Sequence, residues 1–289
     1  MAEELEALRK YLDQNPSVVE SIRRTSYGVL EQYRLAESAR ISVARQTEQF
    51  AQSALEAFRT MQTPIDNLKK FQQQMAEIFP KNWRGVPFDA DRMQEVLETD
   101  GIPIVHVPRS SIVKTILDAD DFETRVKIIE GNMDDIADDC EKALEVEFDS
   151  WFDKHVPLAR RAIEAYRNGH HEAAQALAVS VCDTYFKKFL VGKSYKKMAT
   201  AVSMDEANTG SIAVSFNVLY ALVPGVSFLT EWRPESATEP PTKFSRHVSI
   251  HFANVDQMTK FNATLAIMFM TSLTVAIDYA ARRVGGTSS

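Results

Sequence analysis

The stretch Arg246-His247-Val248-Ser249-Ile250-His251 brings an arginine and two histidines together within six residues. These residue types match what cleavage of a phosphodiester in RNA demands. A base must take the 2′-hydroxyl proton, an acid must protonate the leaving oxygen, and a cation must hold the charge that builds on phosphorus. Histidine titrates near neutral pH and can carry a proton in either direction. Arginine stays charged and grips phosphate oxygens with a planar fork. Spacing sets a condition on this chemistry. On a regular helix residues five apart point about 140° away from each other, so Arg246 and His251 do not share a face. They converge if the motif begins in a loop, or if two copies of the chain meet across a dimer axis. His247 and His251, four apart, do share a face.

Other constellations are weaker. His247 and His251 as a metal pair lack a cysteine or a well-spaced carboxylate to complete a tetrahedral zinc site. Asp134, Asp135, Asp138 and Asp139 crowd one helix flank but lack EF-hand spacing, so they read as a solvated acidic face. Trp83, Trp151 and Trp232 read as packing anchors. No metal and no cofactor is expected. Neither GxGxxG nor GxxxxGK[ST] occurs, which excludes the usual nucleotide-binding loops.

The elements that position the motif read as helices. The chain has 289 residues with only 10 Gly and 11 Pro. That suits an all-α protein better than a turn-rich β fold. After Asn15-Pro16-Ser17, apolar positions from Val29 to Met61 step by threes and fours, which predicts a helix of about 45 residues with a coiled-coil-like seam. A second helix over 65–79 folds back on it. The hairpin either self-associates or packs on its own domain. Pro80 to Gly85 breaks the region. Further helices are expected over 89–99, 110–118 and 121–147, with a short strand at Ile102–Val107. The remainder predicts helices over 152–168, 170–191 and 211–223, and a long last one over 244–283 that the motif opens.

Charge divides the chain. Residues 85–153 hold 19 acidic against 6 basic side chains, whereas 154–200 hold 9 basic against 3 acidic. The basic stretch either meets phosphates or docks on the acidic block. Cys140 and Cys182 are far apart and read as reduced, buried residues, which points to the cytoplasm. No leader is visible at the N-terminus, and the uncharged stretches 207–230 and 261–277 read as core helices, so no membrane association is expected.

The motif with its surroundings resembles the HEPN family. The resemblance rests on Arg246-His247-x-x-x-His251, an R-x4–6-H pattern with a polar residue after the arginine, and on Asn262 eleven residues on. It rests also on Val156 to Gly169, ending Ala-Tyr-x-x-Gly, then His170 to Leu177 and the acidic Asp183. It covers about 152–283 and departs at Phe252, where many relatives carry glycine. The resemblance implies an all-α bundle and a metal-independent ribonuclease acting as a dimer, of the toxin–antitoxin or anti-phage kind. It assigns Arg246 to the scissile phosphate, His251 to proton transfer, His247 to assistance, and Asp183 to positioning the arginine or the RNA. Asn262, Lys187 and Lys188 complete the expected substrate-binding set. The organisation expected is a long-helix hairpin over 1–80, an acidic helical region over 81–150, and a HEPN-like bundle over 151–289. The expected function is RNA endonuclease with RNA and a second copy as partners. The alternative is a non-catalytic oligomeric module that binds a protein partner through its N-terminal helices.

Overall fold

The computed structural model describes residues 79–87, 89–189, 194–202, 215–232, 241, 243–252 and 254–285. The chain divides into two units, and these residues belong almost wholly to the one formed by Pro80–Ser203 and Phe216–Ser289. The hairpin expected over 1–80 lies outside the described residues, apart from its last two positions.

A single 3-10 turn, Lys81–Trp83, precedes α1 (Ala90–Gln94), which runs on as a π turn over Glu95–Thr99. Next come α2 (Ser110–Asp118), α3 (Phe122–Gly131) and α4 (Met133–Ala143). A 3-10 turn at Ser150–Phe152 leads into α5 (Val156–Arg167), α6 (His171–Phe189) and α7 (Tyr195–Val202). A π turn at Ser215–Leu219 continues as α8 (Tyr220–Leu222), followed by α9 (Gly225–Phe228), α10 (Arg246–His251) and α11 (Lys260–Gly285). Every regular element among the described residues is helical.

Local chemistry explains the boundaries. Asp89 and Asp121 cap α1 and α3 by accepting from the amides of Arg92 and Thr124. Gly169, at φ 80°, ends α5: its N–H donates to the Tyr166 carbonyl and that of His170 to the Ala165 carbonyl. This paired pattern satisfies carbonyls the helix leaves open. The short connection expected at 167–169 is therefore a C-cap.

Three expectations need correction. Ile102–Val107 forms no strand. Its β-branched residues are buried, the chain bends at Val105–His106, and side chains take up the Ile104 carbonyl: Asn82 Nδ2 and Trp83 Nε1 both donate to it, at 3.0 and 2.8 Å. The helix expected over 121–147 is broken at Asn132, whose Nδ2 donates to Ile128 O at 2.7 Å and competes with the backbone ladder. The last helix does not begin at the motif. Phe252 is extended, and Asn254 starts a turn in which its Oδ1 accepts from the Asp256 amide. Thr259 then caps α11, its Oγ1 accepting from the Asn262 amide at 3.1 Å.

The core lies where α6 packs along α5 and α11, and α11 also packs on α4. Helices of the acidic stretch thus share a core with the C-terminal ones. Lys260–Arg282 is long and apolar enough to cross a membrane, but 89 % of its most apolar window is buried against protein. Two of its hydroxyls find partners there: Thr264 and Thr274 hydrogen-bond the hydroxyls of Tyr166 and Tyr185. The acidic flank of α4 is ion-paired rather than bare. Asp135 and Asp139 hold Arg109, Asp138 holds Arg167, and Asp134 meets Lys260. Cys140 and Cys182 are free and buried.

Candidate active site around Arg246

Arg246 opens the six-residue α10 and turns inward. It is 6 % exposed, and its Nε donates to Asp183 Oδ1 of α6 at 2.5 Å. Its Nη2 donates to the Tyr195 hydroxyl of α7 at 2.7 Å, while the guanidinium carbon lies 3.6 Å from the centre of the Tyr195 ring. Lys187, one turn along α6, reaches Asp183 Oδ2 at 2.7 Å. Burial would raise the Asp183 carboxyl, yet Lys187, Arg246 and Tyr195 together hold it below the usual carboxylate range. Asp183 in turn raises the Lys187 ammonium. The three charged groups sum to one net positive charge, and Lys187 is 56 % exposed. A singly charged phosphodiester complements that charge.

The histidines stand on the outer side of α10. His251 is exposed and His247 half-buried, with ring centres 5.0 Å apart, as four-residue spacing requires. Within this chain Arg246 points to α6 whereas His251 points to solvent. The short helix places the guanidinium and the imidazole on different sides. Phe252 does not fold into a cleft. It is 37 % exposed and rests edge-on against Trp232.

A buried amide network holds α10 in place. Ser249 donates to Ser245 O at 2.8 Å, and Gln175 Nε2 of α6 donates to Ser249 Oγ and Gln257 Oε1 at 3.0 and 2.7 Å. Asn262 belongs to this network: it is 1 % exposed, and its Nδ2 donates to Gln257 O at 2.8 Å. Lys188 stands apart from the Arg246 cluster. Its ammonium meets His155 Nε2 at 3.0 Å and lies 4.8 Å from the Trp151 ring. Burial, then the nearby Lys188 charge, lowers the His155 imidazole.

Of the expected site residues, Arg246, Asp183 and Lys187 are therefore in contact, whereas His247 and His251 pair with each other on the outer side of α10. Asn262 braces the turn behind, and Lys188 serves another cluster. Sequence reasoning missed Tyr195 because a lone tyrosine between lysines carries no spacing signal. It also missed Gln175 and Gln257, which read as ordinary polar helix residues. Among the described residues no group of three or more His, Cys, Asp or Glu could hold a metal ion. In comparisons with protein-family models, curated proteins and solved structures, nothing matches the chain.

Proposed function

We propose that the protein is a metal-independent RNA endonuclease of HEPN type, acting as a homodimer in the cytoplasm in phage defence or another stress response. The observation that carries this reading is the Asp183–Arg246 pair, which joins α6 to α10 at 2.5 Å with an exposed lysine on the same aspartate and an exposed histidine at the end of α10. In the proposed reaction the 2′-oxygen attacks phosphorus as a base removes its proton. The 5′-oxygen leaves with a proton from an acid, and the products are a 2′,3′-cyclic phosphate and a 5′-hydroxyl. His251 serves proton transfer, His247 assists it, and Arg246 with Lys187 neutralises the crowded phosphate.

A second reading rests on a different observation. The Arg246 side chain is only 8 % exposed, and both its Nε and Nη2 are engaged within one subunit. In α10 and the turn after it, Ile250, Phe252 and Val255 are 40, 37 and 80 % exposed. Those facts favour a non-catalytic module whose arginine is structural and whose apolar rim takes a partner.

One experiment separates the two. Purified protein in EDTA is incubated with RNA, and the ends of any fragments are analysed. The nuclease reading expects 2′,3′-cyclic ends, and expects Arg246→Ala and His251→Ala each to lower the rate at least about a hundredfold with the fold retained. Unchanged RNA, or variants that cleave as the parent does, leaves the module reading.

A further inference from the structure

We propose that Tyr195 is a positioning residue for Arg246, fixing the plane and roll of its guanidinium so that one phosphate oxygen is gripped in preference to the other. The inference rests on the nuclease reading. Asp183 touches the guanidinium at Nε alone, and one hydrogen bond leaves the planar group free to roll about that contact. Tyr195 restricts this freedom twice: the guanidinium carbon lies over its ring, 3.6 Å from the centre, and its hydroxyl accepts from Nη2 at 2.7 Å. Tyr195 also helps hold the Asp183 carboxyl below its usual range, after Lys187 and Arg246. Nη1 makes no hydrogen bond to a described residue, so within this proposal it is the nitrogen left for the phosphate.

A guanidinium held in one plane discriminates between the two non-bridging oxygens of a phosphodiester, whereas a rolling one does not. Phosphorothioate RNA reads that difference. A short oligoribonucleotide carrying sulfur at the cleaved linkage, in pure Rp or pure Sp form, is cleaved by the full chain and by Tyr195→Phe and Tyr195→Leu. The parent is expected to prefer one diastereomer. Tyr195→Phe keeps the ring and loses the hydroxyl, so kcat should fall about tenfold with KM within about twofold, and the Rp/Sp ratio should shrink. Tyr195→Leu should bring the ratio close to one.

If Tyr195→Phe retains the parent's kcat and Rp/Sp ratio, the inference fails and the nuclease reading stands. A fall in melting temperature with both values unchanged marks Tyr195 as structural only and also overturns it. Should Tyr195→Leu not fold, Tyr195→Phe decides alone. A parent chain that leaves RNA uncut overturns the nuclease reading, and this inference with it.

Discussion

Arg125 and Arg246 are both buried arginines paired with buried aspartates, yet their surroundings differ in kind. Arg125, in α3, is wholly buried: Nη1 binds Asp100 at 2.5 Å and Glu95 at 2.9 Å, and Nη2 donates to Ala119 O. Its partners all lie in the acidic stretch and tie the π turn, the α2–α3 connection and α3 together. Arg246 uses the same chemistry where an exposed lysine shares its aspartate and an exposed histidine ends the same short helix. A guanidinium–carboxylate pair is therefore no mark of function by itself. What distinguishes Arg246 is the unspent positive charge beside it and the titratable ring at the surface.

Stability measurements sharpen the contrast. Arg125→Ala should cost about 3–5 kcal/mol, because Asp100 is left buried without its cation. Chemical denaturation measures this, and a loss below about 1 kcal/mol would mean that the pair is not buried as described. His106 tests a half-buried basic group. It sits at φ 66°, and its ring nitrogen meets Asn217 O at 2.7 Å. Burial pushes its pKa down to about 4. The neutral ring is the folded form, so its stabilisation is complete above the ordinary histidine pKa. It is lost as pH falls from there toward 4, by an amount on the order of 2 kcal/mol. His106→Asn, which tolerates the left-handed backbone, should flatten the melting temperature between pH 7 and 4.5.

Arg246→Ala should cost less, about 1–2 kcal/mol, because Lys187 remains to neutralise Asp183. If it costs as much as Arg125→Ala, the two arginines are alike and the module reading gains. His251→Ala should shift stability by no more than about 0.5 kcal/mol while abolishing RNA cleavage. That pairing of a small structural effect with a large chemical one would set the Arg246 region apart.

Much of the helical framework was legible in the chain. The helices over 110–118, 156–167 and 171–189 follow from apolar periodicity, Pro157 in a first turn, and Gly169 at a C-cap. The burial of Trp83 followed from residue type as well. The failures have physical causes. Ile102–Val107 carries a strand's residue types, but carbonyls captured by side chains 21 or more residues away need no ladder. The last helix looked continuous because Asn254 and Thr259 interrupt an otherwise helical pattern with polar side chains, and such residues also occur inside helices. Thr259 followed three residues later by Asn262 was the available signal.

Period, capping residues and scarcity of glycine settled that the described residues form helices, because these preferences act over a few neighbouring positions. They also placed an arginine and two histidines in one short segment. Only tertiary structure decided what that arginine touches. Asp183 and Tyr195 lie 63 and 51 residues away from it, and no local preference encodes such a meeting. It arises because α10 packs on α6, while Phe186 of α6 and Val202 of α7 both lie against Gly225 of α9. The polar groups carried along must then find partners within reach.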